Sequence, residues 1–194
     1  MSVLEPEEVL ARLRTEAMVR LALGREDLEE IRGALHGAAA AAGVASTRAE
    51  EILAAAWVER DHLARENAGR DRSAAVRRAL ARLAEEDALV AEDVGEDEAS
   101  ARPLLEEAAR AQGRRTGRAV RGWVYFHRGD AEKMVDGTDV LTLRVGQDPE
   151  GSLAGRLREA LAAEGVPVPS DAEDRFVLEI PEASWFPPPP GQVG

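Results

Sequence analysis

The stretch GWVYFHRGDAEKMVD, Gly122–Asp136, contains the change of hydrophobic period on which the interpretation of the fold rests. In its first half the apolar residues Val124 and Phe126 alternate with a second set of ring-bearing residues, which is typical of a β-strand. After a short turn, residues 130–135 have the character of a short helix, and Gly137 is placed to end it. The sequence therefore predicts a strand over Val120–His127, followed by a turn and a helix.

Regular patterns on both sides of this stretch predict more strands and helices. Two further strands are predicted at Val140–Val145 and Arg175–Ile180, with an amphipathic helix at Ser152–Ala163 between them. In both strands apolar residues alternate with a more polar set, which indicates a sheet packed on one side only. The short run Ala88–Ala91 is a fourth strand candidate. We expect an α+β protein with a helical N-terminal part, followed by a small mixed sheet with helices on one face.

The chain divides by composition into three regions, which we predict to be a helical N-terminal region (1–70), an α+β domain (71–181) and a proline-rich flexible tail (182–194). In the first region, Thr47 and Glu50 have the spacing of a capping box, so we expect Thr47 to open the third helix. On that helix we expect Arg60 to face solvent. In the second region, an acidic loop over Glu92–Glu98 is followed by a helix predicted over Pro103–Gln112.

Composition and charge exclude several classes of function. The formal net charge of −12 disfavours binding to nucleic acid and to anionic membranes, because both carry negative charge. The chain has no cysteine, which excludes disulfides and thiolate metal sites. It has an acidic N-terminus and no apolar run near the roughly 18 residues of a membrane span, so we predict a cytoplasmic protein. It also lacks a glycine-rich phosphate loop, and we predict no cofactor.

The predicted central strand has an unusual second face. Trp123, Tyr125 and His127 share this face, in a chain whose aromatic content is only 4%. If Arg144 of the next strand points to the same side, these four residues form an aromatic and polar shelf, and they are our candidate binding residues. The alternative is that the rings form a buried contact between elements of the fold. The sequence leaves both interpretations open.

His127, Asp130 and Glu132 are the candidate catalytic residues. An imidazole and two carboxylates at the end of a strand have the chemistry of an acid–base pair or a metal site. The alternative is structural: Asp130 caps the following helix, Glu132 complements the helix dipole, and His127 bonds a loop carbonyl or Asp130. Neither of the other two histidines has a spacing that nominates it as a third ligand, so no metal is predicted.

The segment RGWVYFHRGDAE, Arg121–Glu132, resembles the signature G-[YW]-V-[FY]-F-H-x-x-D-x-E of an uncharacterised bacterial domain family. The resemblance extends to a helical N-terminal part and to the strands and helix on either side of the signature, so it covers most of the chain. It implies the extent of the domain and no established activity. Some members of that family have cysteines after the first strand, where this chain has Asp93, Val94 and Gly95, and the tail WFPPPPG is not part of the family pattern.

Two hypotheses about function follow. The first is a non-enzymatic binding or regulatory protein that contacts another protein, which the scarcity of catalytic residues favours. The second is a small metal-assisted hydrolase that uses His127 together with Asp130 and Glu132. The sequence identifies neither a partner nor an oligomeric state.

Overall fold

The computed structural model describes residues 6–67, 69–135, 140–148, 151–168, 177–181 and 185. These residues form helices and one mixed sheet, which confirms the α+β class and the helical N-terminal part. The helices are α1 Pro6–Leu23, α2 Leu28–Ala41, α3 Ser46–Glu66, α4 Ser73–Glu86, α5 Glu98–Thr116, α6 Arg128–Val135 and α7 Ser152–Ala163. The strands are β1 Ala88–Ala91, β2 Gly122–Tyr125, β3 Val140–Gly146 and β4 Val177–Pro181. Among the described helices, none is long and apolar enough to cross a lipid bilayer.

The chain separates into two compact units. The helical unit comprises Met1–Asp71 with Trp185–Gly194, and the sheet unit comprises Arg72–Ser184. Trp185, which lies in the segment expected to be a flexible tail, is only 1% exposed and belongs to the helical unit. The rest of that expected tail lies outside the described residues, as do Arg175 and Phe176 of the predicted last strand.

The helical unit is built from α1, α2 and α3, which pack against one another. Helix α2 begins with a capping box in which Asp27 accepts from the Glu30 backbone and the Glu30 side chain accepts from the Asp27 backbone. Helix α3 has no side-chain cap and begins at Ser46, so the capping box predicted for Thr47 is wrong. Thr47 already lies inside the first turn, and the Glu50 carboxylate bonds His36 of α2 at 2.7 Å instead.

The sheet has the strand order β1-β2-β3-β4. Strands β1 and β2 are parallel, as their connection through α5 allows, and the other two pairs are antiparallel. The register places Tyr125 opposite both Ala91 and Arg144. Directly paired residues point to the same side of a sheet, which defines one side as the Trp123 face. Its members in β1, β2 and β3 include Leu89, Ala91, Trp123, Tyr125, Arg144 and Gly146.

Helices lie on both sides of β2, which differs from the expected packing on one face. On the Trp123 face, Trp123 and Tyr125 belong to one buried cluster with Leu105 of α5. On the opposite face, a Cβ added at Gly122 would lie 2.8 Å from the Leu153 side chain of α7. The one-sided pattern holds in β4, where Glu179 is exposed between two buried residues. Central β2 is apolar on both faces. The alternation of apolar and polar residues in β3 and β4 therefore does not extend to β2.

Helix α5 is longer than the sequence predicts. It begins at Glu98 rather than Pro103, because Asp97 forms a capping box with Ser100, whose backbone N–H donates to the Asp97 carboxylate at 2.8 Å. It ends where Gly117 adopts a left-handed conformation with φ 68°, which glycine tolerates without a Cβ penalty. The added length at the start places α5 beside the carboxyl ends of β1 and β2.

Candidate functional site

The candidate residues lie where two loops meet at the carboxyl ends of the parallel strands β1 and β2. The loop after β1 and the turn after β2 are joined by backbone hydrogen bonds, from Val94 N–H to the Phe126 carbonyl at 3.1 Å and from Arg128 N–H to the Gly95 carbonyl at 2.9 Å. Ligand sites in α/β proteins are often found outside the carboxyl ends of parallel strands. A ligand or catalytic site is therefore expected first at this edge of the sheet.

His127 and Asp130 form a reciprocal cap on helix α6. The helix begins at Arg128, so His127 occupies the N-cap position and Asp130 is the third helical residue. The Asp130 backbone N–H donates to His127 Nδ1 at 3.2 Å, and the His127 backbone N–H donates to Asp130 Oδ2 at 3.3 Å. This is the geometry of a capping box, with histidine in the place usually held by serine or threonine. Asp130 was expected at the N-cap itself, and the structure gives that position to His127.

The Asp130 carboxylate also holds the guanidinium of Arg144. Asp130 is fully buried, and its two oxygens accept from Arg144 Nε at 2.7 Å and from Nη2 at 2.9 Å. The hydrogen bonds to Asp130 raise the pKa of Arg144 above its ordinary value. Glu98, the first residue of α5, also approaches Arg144 at 3.9 Å. This bidentate ion pair links α6 to β3, and each oxygen of Asp130 accepts a hydrogen bond.

Burial of the His127 ring favours its neutral form. Its side chain is buried, and burial lowers its pKa, although the Asp130 charge acts in the opposite direction. Because Nδ1 accepts the Asp130 amide hydrogen, the ring proton belongs on Nε2, which lies 3.4 Å from Asp130 Oδ2. Both ring nitrogens therefore face Asp130. A role as general base or metal ligand would require His127 to give up the cap of α6.

The three candidate catalytic residues do not converge on a common point. In the described part of the chain, no three histidine, aspartate or glutamate side chains are grouped so that they could hold a metal ion. Glu132 is half-buried on α6, and it does not join His127 and Asp130 in such a group. The geometry at this edge matches the structural interpretation of the motif.

The aromatic residues of the predicted binding shelf are covered. Trp123 and Tyr125 are 5% and 6% exposed, and helix α5 packs over them. Burial raises the pKa of the Tyr125 hydroxyl. The indole of Trp123 lies on the backbone of Gly146, where a Cβ would overlap the ring nitrogen. The arrangement is that of a packed contact between elements, the alternative left open by the sequence.

A second buried ion pair supports the same turn and was missed by sequence reasoning. Arg128 donates from Nε to Asp93 at 2.7 Å and from Nη2 at 2.6 Å, and both side chains are at most 15% exposed. Asp93 sits in the loop after β1 with a positive φ of 55°. The partners are 35 residues apart, and no local pattern in a sequence pairs residues at that distance.

The helical unit contains a feature that sequence reasoning placed incorrectly. Arg60 of α3 was expected to face solvent, but it is only 3% exposed. Within the described residues it has no hydrogen-bond or ion-pair partner, and only the more distant charges of Asp61 and Asp71 act on it. Burial lowers the pKa of Arg60, and the charges of Asp61 and Asp71, which act in the opposite direction, offset only part of the cost of removing the guanidinium from water.

Exposed apolar side chains lie close to Arg60. Leu28 of α2 is 39% exposed and Trp57 of α3 is 37% exposed, and both line a small cavity with Arg60. Val58, the next residue of α3, is 69% exposed. The helical period of α3 identifies Trp57 as one of its apolar residues, but it gives no signal for the exposure of Trp57 or for the cavity beside it.

Comparison with known proteins places the chain in a family. Residues 6–186 match the model of a domain of unknown function, DUF6891, and the chain belongs to that family. No curated protein matches the chain, and no solved structure matches it.

Proposed function

We propose that this member of the DUF6891 family is a non-enzymatic, cytoplasmic binding protein of regulatory type, which contacts another protein through its helical unit. The observation that carries the proposal is the pair of exposed apolar side chains Leu28 and Trp57, which line one cavity, with the exposed Val58 next to Trp57 in the chain. Large apolar side chains that lie together on a surface mark interaction sites more often than isolated ones do.

The composition of this group suits a binding site. Trp57 and Leu28 line one cavity, so their side chains are neighbours and belong to one surface. Tryptophan is enriched among the residues that carry most of the binding energy at protein interfaces. A partner that buries Trp57 gains apolar contact without requiring the sheet unit to change.

The charges around this group favour a partner with basic residues. Glu29, Glu59 and Asp61 flank Leu28, Trp57 and Val58 in sequence, and each forms an exposed ion pair with an arginine. Exposed pairs of this kind contribute little to stability, so a basic residue of a partner can replace the arginine at small cost. The net charge of −12 also steers a basic partner toward the protein. We therefore expect a segment with an apolar side chain flanked by lysine or arginine.

The alternative hypothesis, a metal-assisted hydrolase, needs His127 with Asp130 and Glu132 as free catalytic groups. The His127 ring caps α6, and the Asp130 carboxylate is bonded to Arg144 through both oxygens. No observation at this edge favours hydrolysis, and the binding function is the better supported of the two.

The proposal is tested with a photo-crosslinking amino acid introduced at position 58 of the full-length protein in cells. We expect one specific crosslinked protein, identified by mass spectrometry, and its purified form should bind the wild-type protein with an affinity that falls at least tenfold in Trp57→Ala. The matched control places the same crosslinker at Arg110 of α5, whose side chain is 67% exposed in the sheet unit. Equal crosslinking from both positions, or unchanged affinity in Trp57→Ala, would contradict the proposal.

A further inference from the structure

The side chain of Arg60 is a buried positive charge for which the described residues provide no partner. An arginine almost never becomes fully buried unless a carboxylate or another acceptor accompanies it, because an isolated buried charge loses its hydration. Arg60 is 3% exposed, and the charges among the described residues that act on it, those of Asp61 and Asp71, make no hydrogen bond with it. Such an exception calls for a physical explanation.

The cavity beside Arg60 has the size of a small organic group. Its volume is about 110 Å³, which is the space of roughly three to four water molecules at about 30 Å³ each. The lining is formed by the end of α1, the turn before α2, the first turns of α2 and one side of α3. The residues are Leu21, Gly24, Glu26, Asp27, Leu28, Ile31, Trp57 and Arg60.

The two carboxylates of the lining are already engaged elsewhere. Glu26 accepts two hydrogen bonds from Arg20, both at 2.7 Å. Asp27 accepts from the Glu30 backbone at 2.9 Å as the cap of α2. Arg60 is thus the charged group of the lining that has no acceptor among the described residues, and it can offer a planar fork of N–H donors to a ligand.

The lining distinguishes between the anions that a guanidinium binds. Carboxylate and phosphate both fit the fork of an arginine. Arg60 is a single positive charge beside two carboxylates, so a dianionic phosphate would be left with uncompensated charge in a partly closed cavity. A carboxylate carries one negative charge, and its apolar carbons can contact Leu21, Ile31 and Trp57. The lining therefore favours a monocarboxylate with a short apolar chain.

The geometry points to a ligand site at Arg60, in which the guanidinium binds the carboxylate of a small acid and the surrounding apolar side chains hold its hydrocarbon part. This inference goes beyond the proposed protein contact, because it requires no protein partner. The carboxylate can belong to a free acid or to the end of a peptide chain, and the two sources have the same chemistry at Arg60.

The test is a titration of the isotopically labelled full-length protein, followed by amide chemical shifts at constant ionic strength. The probes are 3-methylbutanoate as a free acid, acetyl-glycyl-leucine as a peptide end, and 3-methylbutanamide as a neutral compound of the same shape. We expect saturable shifts at residues 24–31 and 57–61 with at least one of the two carboxylates, and none with the amide. Binding of the free acid identifies a small-molecule site, and binding of the dipeptide alone identifies a peptide end.

Variants of two arginines on α3 control for folding and for general charge. Arg60→Gln should weaken carboxylate binding at least tenfold, and Arg60→Lys, which keeps the charge but not the planar fork, should weaken it less. Arg65→Gln should bind like the wild type, because the Arg65 side chain is 76% exposed and paired with Asp61. The amide spectra of all three variants report whether the fold is retained.

Two results would overturn the inference. One is the absence of saturable shifts with both carboxylates in a folded protein, which would mean that water alone occupies the cavity. The other is equal binding of 3-methylbutanoate and 3-methylbutanamide, which would mean that Arg60 contributes nothing. Neither result bears on the crosslink from position 58, so the ligand site and the protein contact can fail separately.

Discussion

Arg144 in the sheet unit and Arg60 in the helical unit are both arginines removed from most of the solvent, and their surroundings differ. Arg144 gives two hydrogen bonds to the fully buried Asp130, and the carboxylate is bonded in turn to the backbone of His127. Arg60 has a cavity beside it, and none of the described residues accepts a hydrogen bond from it. One charge is satisfied within the fold, and the other is not.

This difference separates a motif that stabilises the fold from a site that can bind. A buried ion pair with all its hydrogen bonds made is a structural element, and removing one partner leaves the other uncompensated. A buried charge without an acceptor lowers the stability of the free protein, and a ligand that supplies the acceptor recovers that loss. The residues with the strongest sequence pattern thus hold the fold together, and the residue expected to face solvent has the features of a site.

The largest effect is expected from breaking the ion pair between Asp130 and Arg144. Asp130→Ala should lower the free energy of unfolding of the sheet unit by about 3–5 kcal/mol, because Arg144 stays buried without its carboxylate and α6 loses half of its cap. Denaturant unfolding followed by Trp123 fluorescence, with Trp57 and Trp185 replaced by phenylalanine, measures it. Arg102→Ala in the same unit is the control, and the loss of its exposed pair with Glu106 should change stability by less than about 0.5 kcal/mol. Similar losses in the two variants would refute the structural role of Asp130.

The packing of the two units differs at their glycines as well. Gly146→Ala should destabilise the sheet unit by about 2–3 kcal/mol, because the new Cβ overlaps the Trp123 indole. Gly33→Ala, inside α2 with nothing within 4 Å of the new Cβ, should stabilise the helical unit by up to about 1 kcal/mol. Trp123 fluorescence during denaturant unfolding measures the effect of Gly146→Ala on the sheet unit, and amide hydrogen exchange within α2 measures the effect of Gly33→Ala on the helical unit. A stable Gly146→Ala protein would show that Trp123 moves easily.

Removing the unpaired charge should have the opposite sign from removing a paired one. Arg60→Met should leave the helical unit as stable as before or stabilise it by about 1 kcal/mol, since an uncompensated buried charge is replaced by an apolar side chain. Urea unfolding monitored by amide hydrogen exchange within α1–α3 measures it. A loss of more than about 2 kcal/mol would indicate that Arg60 has an acceptor in solution and would count against the ligand site.

The smallest effect is a dependence on pH at His127. Burial places the pKa of folded His127 below its ordinary value, so the unfolded chain binds the proton more readily and stability falls as pH decreases below about 6.5. One proton contributes a slope of at most about 1.4 kcal/mol per pH unit. His127→Asn keeps a good N-cap residue and removes the titrating ring. Above pH 7 the stabilities of the wild type and of His127→Asn should therefore depend on pH in the same way, and below about 6.5 the wild type should lose stability relative to the variant. A constant difference from pH 7 to pH 5 would show that folding does not lower the pKa of His127.

Much of the sheet unit could be predicted from local patterns. The change from a period of two to a helical period at Gly122–Asp136 is present as β2, a turn and α6. The spacing of His127 and Asp130 fits a capping box, although Asp130, rather than His127, was expected at the N-cap. Helix α7 coincides with the predicted range because its leucines and the glycine after it are local signals.

The partners in the candidate site could not be predicted in the same way. Asp130 meets Arg144, and Arg128 meets Asp93, only because the strand order brings β1, β2 and β3 side by side. The covering of Trp123 depends on α5, which begins at Glu98, five residues before the Pro103 at which the sequence placed its start. Hydrogen bonds between distant segments depend on the order of the strands in the sheet. The local hydrophobic period of a sequence does not specify that order.

By itself the sequence determined the elements of this protein, because helix caps, strand alternation and glycine stops act between residues a few positions apart. The tertiary structure decided which polar groups are satisfied. Arg60 follows Ala56 by one helical turn on the buried stripe of α3, and the groups that surround its charge there come from α1 and α2. Burial and pairing are properties of the assembled chain, since the cost of removing a charge from water is set by atoms that are remote in sequence.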